Sequence, residues 1–200
     1  LSSLTLDVGL DISEGGTFVN NGTIEANKAI TVNGSLVNTG TLKINDNLTI
    51  NGSFDNTKDK GNIEVTGTGS DKKAVVINAL SAHENLEAAP ASVVMGDITL
   101  KHATLTNNDK GYTLKTEAEK KEGEADKKPE NRVRVTYGKV TLNEGGNFVN
   151  NEGALDSGSS LTITKDAGTA KINGTSTWGT INAQKGGVVT VGDKGTLSAD

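Results

Sequence analysis

Cysteine is absent from this 200-residue chain, which excludes disulfide frameworks, thiolate metal sites and thiol nucleophiles together. Proline occurs twice and aromatic residues make up 3%, so the bulky rings that usually fill a wide core are missing. No apolar run approaches the roughly 20 residues that span a bilayer, and membrane insertion is not expected. The opening LSSLTLDVGL lacks the basic start and unbroken apolar stretch of a signal peptide. A formal net charge of −5 and a pI of about 5.1 argue against nucleic acid or an anionic membrane as partner. Charged residues, at 22%, are close to the roughly 25% of an ordinary domain, so the low hydrophobic share of 33% is made up by Gly, Thr, Asn and Ser. That is not the composition of a disordered tail.

A repeat fills the space these absences leave. Gly16-Thr-Phe-Val-Asn-Asn, Gly34-Ser-Leu-Val-Asn-Thr and Gly52-Ser-Phe-Asp-Asn-Thr begin 18 residues apart. Within that period Phe18, Ile24, Ile30, Leu36, Leu42, Leu48 and Phe54 recur every six residues. Two positions after each stand Asn20, Ala26, Val32, Asn38, Ile44, Ile50 and Asn56. Each hexad therefore reads as a short strand whose i and i+2 side chains share a face. A period of six is too short for a repeat containing a helix, and the spacing predicts an all-β parallel β-helix, or β-solenoid, with three strands in a coil of about 18 residues. Residues one coil apart then stack at about 4.8 Å. Phe18, Leu36 and Phe54 form an apolar column, and Asn20, Asn38 and Asn56 form an amide ladder that satisfies polar groups otherwise costly to bury. Glycines such as Gly22, Gly34, Gly40 and Gly52 fall at the corners.

The register extends backward through Ile12 and Leu6, and a three-residue insertion near Thr57 to Lys60 delays the next strand to Ile63 and Val65. The decapeptide Ile12-Ser-Glu-Gly-Gly-Thr-Phe-Val-Asn-Asn21 returns as Leu142-Asn-Glu-Gly-Gly-Asn-Phe-Val-Asn-Asn151, identical at seven of ten positions. Coils are expected over residues 1–77 and 139–200, with an irregular loop and strand segment continuing the solenoid over 78–106. Both ends stop inside the pattern, so neighbouring coils, caps or other copies of the protein are expected partners. Residues 107–138 read as a projecting β-hairpin arm: Tyr112 to Thr116 and Arg132 to Tyr137 alternate as strands around a tip dense in Lys and Glu. Tyr112, Lys115, Arg132, Arg134 and Tyr137 are its candidate interaction residues.

Local signatures for chemistry are sparse. His83 and His102 have no partners at metal-ligand spacing, and no Gly-x-Ser-x-Gly elbow precedes a helix. Solenoids also host polysaccharide lyases and hydrolases, but no pair of acids stands one coil apart in the regular stretch. Glu25 and Lys43 do, as a cross-strand charge pair. Calcium is conceivable at Asn45-Asp46-Asn47 or Asp55 to Asp59, yet neither the EF-loop spacing nor a calcium-roll nonapeptide is present, and turn formation accounts for these residues. No catalytic residue, metal or cofactor is assigned. The sequons at Asn21, Asn33, Asn47, Asn51 and Asn173 are glycan acceptors in a secretory pathway or by-products of the repeat, since all but Asn47 stand where an Asn-Gly corner meets a Ser or Thr strand. Trp178 is either a sugar-stacking ring or a plug inside a coil.

The run Gly-Ser-Leu-Val-Asn-Thr-Gly-Thr-Leu-Lys-Ile-Asn-Asp-Asn-Leu-Thr-Ile-Asn-Gly, residues 34 to 52, resembles the repeats of bacterial surface β-helix proteins, above all filamentous-haemagglutinin-like adhesins and autotransporter passengers. The resemblance covers about residues 4–77 and 139–200. It implies a right-handed β-helix, an extracellular or cell-surface location, and a stalk that displays loops or arms to a host surface protein or glycan. It brings no catalytic residues. Strict hexads are equally a mark of left-handed helices with 18-residue coils, and similar patterns occur in surface-layer proteins and phage fibres. A self-assembling surface-layer or fibre subunit is the alternative to the adhesive stalk, with a polysaccharide lyase or hydrolase as the third reading.

Overall fold

The computed structural model describes residues 2–56, 61–78, 86–114, 131–164 and 168–199. Lys115, His83, the insertion of Thr57 to Lys60 and the charged tip lie outside these residues. Among the described residues there are twenty strands and no helix. Every ladder between strands is parallel.

The chain lays its strands down in rotation. In the first half, β1 (Ser3–Leu6), β4 (Thr23–Ala26), β7 (Thr41–Ile44) and β10 (Asn62–Thr66) run along one face. Strands β2 (Leu10–Ile12), β5 (Ile30–Val32), β8 (Leu48–Ile50) and β11 (Lys73–Ile77) run along a second, and β3 (Thr17–Asn20), β6 (Ser35–Asn38) and β9 (Ser53–Asn56) along a third. The second face continues through β13 (Ala103–Asn107), β15 (Asn147–Asn150), β17 (Thr169–Ile172) and β19 (Val188–Val191), an 8-stranded sheet. From β12 (Val93–Lys101) onward, the third-face strand of one layer runs unbroken into the first-face strand of the next. The same fusion occurs in β14 (Val135–Leu142), β16 (Leu155–Ile163) and β18 (Thr175–Ala183), and β20 (Thr196–Ala199) ends the series. The first and third faces thereby join into one 12-stranded sheet. Because each strand pairs with its counterpart one layer on, the connectivity is consistent with a β-solenoid.

The interior is what the hexads require. Phe18 pairs with Leu36 and Leu36 with Phe54, so the expected column is present. Leu36 and Phe54 are fully buried, whereas Phe18, in the first layer, is partly covered. The column then runs through Val93, Val135, Asp156, Ser176 and Leu197. The 18-residue period holds only across these first layers, because insertions at the corners lengthen the later ones while the strands stay in register. Val93–Lys101 and Ala103–Asn107 accordingly form strands, with register shifts between Val94 and Ile98 and a bend at His102, and Val135 to Gly138 belong to β14 rather than to an arm.

The backward extension also needs correction. Leu4 and Leu10, not Leu6 and Ile12, pair with Ile24 and Ile30. Residues i and i+2 of a strand face the same way, so a slip of two keeps both apolar positions inward and goes unnoticed in the sequence. The two extra residues lie in the turn Ser13 to Gly16, closed by the Gly16 N–H on the Ser13 carbonyl at 2.9 Å.

Candidate functional site

The long insertion leaves and re-enters the stack through one antiparallel pair. The Tyr112 N–H donates to the Arg132 carbonyl at 2.9 Å, and the Arg132 N–H returns a bond to the Tyr112 carbonyl at 2.7 Å. Leu86 bridges Leu114 in parallel, with the Leu86 N–H on the Thr113 carbonyl at 2.9 Å. The roots of both long excursions from the stack therefore meet here. Arg132 is exposed and Tyr112 half-buried.

Arg134 and Tyr137 are placed differently from the expectation. Both are buried, Arg134 at 2% exposure and Tyr137 at 5%, so neither is displayed on an arm. The Arg134 guanidinium donates from Nη1 to the Asp109 carboxylate at 2.6 Å, from Nε to the Ala91 carbonyl at 2.8 Å and from Nη2 to the Gly52 carbonyl at 2.8 Å. One planar fork thus joins the third layer, the end of the first excursion and the start of the second. Asp109 also accepts the Gly111 N–H at 2.9 Å and is itself placed by the Asn107 side chain, which accepts the Asp109 N–H at 2.9 Å.

A second buried carboxylate continues this polar chain. Asp156 accepts from Asn107 at 3.0 Å and Asn150 at 2.7 Å on one oxygen, and from the Ser176 hydroxyl on the other. The Trp178 indole N–H donates to the same hydroxyl at 2.8 Å. Burial pushes the Asp156 carboxyl above its usual range, while the bonds from Ser176, Asn150 and Asn107 pull it down. Tyr137 lies stacked on Trp178, centroids 5.6 Å apart, with Phe148 edge-on to both. Gly158 stands between the stacked rings in the register, and a Cβ there would overlap the Trp178 ring. Trp178 is therefore a plug within the stack. The Tyr137 hydroxyl has no hydrogen-bond partner among the described residues, and burial, with Asp156 and Asp109 nearby, raises its pKa well above the ordinary value. Asp109 and Asp156 are both sealed from solvent, so this arrangement fixes the path of the chain.

Amide ladders run outside as well as inside. In the interior, Asn20 donates to Asn38 and Asn38 to Asn56, each at 2.7 Å, and Asn56 ends the series on the Met95 carbonyl at 2.7 Å. The corner after the second face carries a longer one. Asn33 donates to Asp11 at 3.2 Å, Asn51 to Asn33 at 2.7 Å, Asn78 to Asn51 at 2.6 Å, Asn108 to Asn78 at 3.5 Å and Asn151 to Asn108 at 2.6 Å. Each of these asparagines directly follows a second-face strand, a signal the sequence holds but insertions of unequal length conceal. The amides of the sequons at Asn33 and Asn51 are engaged in this ladder.

Shallow open grooves follow the same corner. One is lined by Asp11, Ser13, Glu14, Asn33 and Asn51, another by Asn151, Glu152, Asn173, Asp193 and Lys194. Glu25 and Lys43 lie side by side on β4 and β7. At the turn Asn45-Asp46-Asn47, Asn45 donates to Asn27 of the preceding layer at 2.9 Å, and Asp46 accepts the Asn47 N–H within the turn at 2.8 Å. Among the described residues no three His, Cys, Asp or Glu side chains converge as a metal site. His102 approaches Glu144 at 3.6 Å. Comparison with family models, curated proteins and solved structures finds no match to this chain.

Proposed function

We propose that the chain is an extracellular structural and adhesive segment of a bacterial surface protein, of the kind formed by filamentous-haemagglutinin-like adhesins and autotransporter passengers. Its strands make a right-handed parallel β-helix that serves as a rigid stalk, and residues 108–134 form the arm that meets a host surface protein or glycan. The observation that carries this reading is the Arg134 clamp. A buried guanidinium committed to Asp109, Ala91 and Gly52 anchors both excursions to the stack at one point. Loops held on a rigid scaffold are where binding residues concentrate. A stack whose layers touch only their neighbours supplies length without needing a large core.

The test removes residues 115–130 and closes Leu114 to Asn131 with a short Gly-Ser linker. The variant should keep its far-ultraviolet β signal and unfolding midpoint while losing attachment to host cells or a glycan array. Undiminished attachment would falsify the arm. The second reading, a self-assembling surface-layer or fibre subunit, draws on exposed aliphatic side chains, with Val8, Val19 and Val188 standing 70%, 54% and 48% exposed.

A further inference from the structure

The outward side of the second face differs from the rest of the surface. From Asp11 an unbroken column of paired residues runs through Thr31, Thr49, Val76, Thr106 and Val149 to Lys171. The two charged residues are exposed, and the five between them are uncharged, β-branched and half-exposed. Beside this column Ala74, Thr104 and Asn147 pair in a second row, also uncharged. Lys73 alternates with Val75 and Ile77 rather than with Val76, and its ammonium donates to Asp71 at 2.6 Å. The other faces are unlike this one. On the first, Glu25, Lys43 and Glu64 stand outward on three successive layers. The outward column of the third holds one acid, Asp55, and no base. Solvated surfaces intersperse charges of both signs, whereas β-branched side chains on a sheet suit packing against a second sheet about 10 Å away.

The order of the two charges selects the occupant. Three layers separate Val76 from Asp11 on one side and from Lys171 on the other. The column is therefore complementary to itself turned end for end. Asp11 then faces Lys171, Thr31 faces Val149, Thr49 faces Thr106 and Val76 faces Val76. A patch that complements its own reverse suits an isologous two-fold contact, in which each residue meets its counterpart twice. The parallel alternative sets Asp11 against Asp11 and Lys171 against Lys171, which like-charge repulsion disfavours.

We propose that the second face of one copy packs on the second face of another with the two stacks antiparallel and the two-fold axis at Val76. Six layer spacings of roughly 4.8 Å make the contact about 29 Å long, and strands of three to five residues make it about 10 to 17 Å wide. An area on the order of 400 Å² per copy is half the roughly 800 Å² of a standard interface, so the association is weak and reversible. The contact is lateral and makes no use of the first or last layer. It rests on the solenoid part of the proposed function and not on the arm, so removing residues 115–130 should leave it intact.

Sedimentation equilibrium of the 200-residue chain at concentrations up to about 1 mM tests it. A reversible dimer of twice 20.6 kDa should form, and it should weaken as salt screens its charges. Asp11→Lys and Lys171→Asp each put like charges at both ends of the contact and should weaken dimerisation about tenfold or more. The double variant Asp11→Lys/Lys171→Asp reverses both pairs and should restore it. Val76→Lys faces its own copy and should abolish the dimer. Asp11→Lys also gives up the Asn33 bond at the corner, so the circular dichroism of every variant is compared with that of the native chain. Lys171→Asp and Val76→Lys probe the contact without touching that bond. A chain that stays monomeric at about 1 mM overturns the proposal. Dimers indifferent to these substitutions overturn the choice of face, and a folded double variant that fails to recover overturns the antiparallel order.

Discussion

Asn38 and Asp156 occupy comparable buried positions and differ in what surrounds them. Asn38 sits between two identical amides, so every donor finds an acceptor one layer away, at 2.7 Å on both sides. Leaving one such group unpaired costs about 1–3 kcal/mol, which is why the ladder runs until a backbone carbonyl can end it. That stack was legible because equal spacing alone reveals it. Asp156 was not, since its column passes from Val135 to Asp156 to Ser176 with no repeated residue type. Its carboxyl is pushed up by burial from the ordinary 3.8. A carboxyl raised in the fold binds its proton more tightly there than in the unfolded chain. Its contribution to stability is therefore greatest below the unfolded value and declines as pH rises through the folded one. Compared with Asp156→Asn, which cannot ionise, the native chain should lose unfolding free energy as pH climbs from about 3.8 and run parallel once the carboxyl is charged. Urea titrations at a series of pH values measure the difference. Curves parallel throughout would show that the three donors balance burial, and native stability that rises with pH relative to the variant would show that they outweigh it.

At the scale of the element, the recurring decapeptide encodes a corner and not a face. Its first copy joins β2 to β3, the second face to the third, while its second copy joins β14 to β15, the first face to the second. What both copies share is a turn of four residues, with Gly15 at φ 77 and Gly145 at φ 65. The sequence match made the strand–turn–strand unit legible, but which face it serves depends on how many residues the earlier corners consume. The two copies also separate backbone strain from crowding. Alanine at either glycine enters the left-handed region at a cost of roughly 1–2 kcal/mol. At Gly15 nothing lies within 4 Å of a new Cβ, whereas at Gly145 it would stand 2.5 Å from His102 Nδ1. Gly145→Ala should therefore destabilise the chain clearly more than Gly15→Ala, as thermal unfolding of the pair would record. Equal losses would mean that the His102 ring moves aside without cost.

Over the whole molecule, stability should be graded along the stack. A layer in the middle must break two interfaces to open, and an end layer only one. The gradient is steepened by what the middle holds. The Asp109–Arg134 ion pair, the donors around Asp156 and the Tyr137, Phe148 and Trp178 rings lie in β13 to β18 and the loops between them, whereas β19 and β20 carry half-exposed aliphatics and no such anchors. The low aromatic content correctly suggested a narrow interior, yet gave no hint that three of the few rings gather in one place. They do so because Gly158 lets one ring reach another past an intervening strand. Hydrogen exchange on the dilute chain should then find amides of β1, β19 and β20 exchanging first and those of β13 to β16 last. Exchange that is uniform from the first layer to the last would mean that the layers open together and that the rod behaves as one cooperative unit.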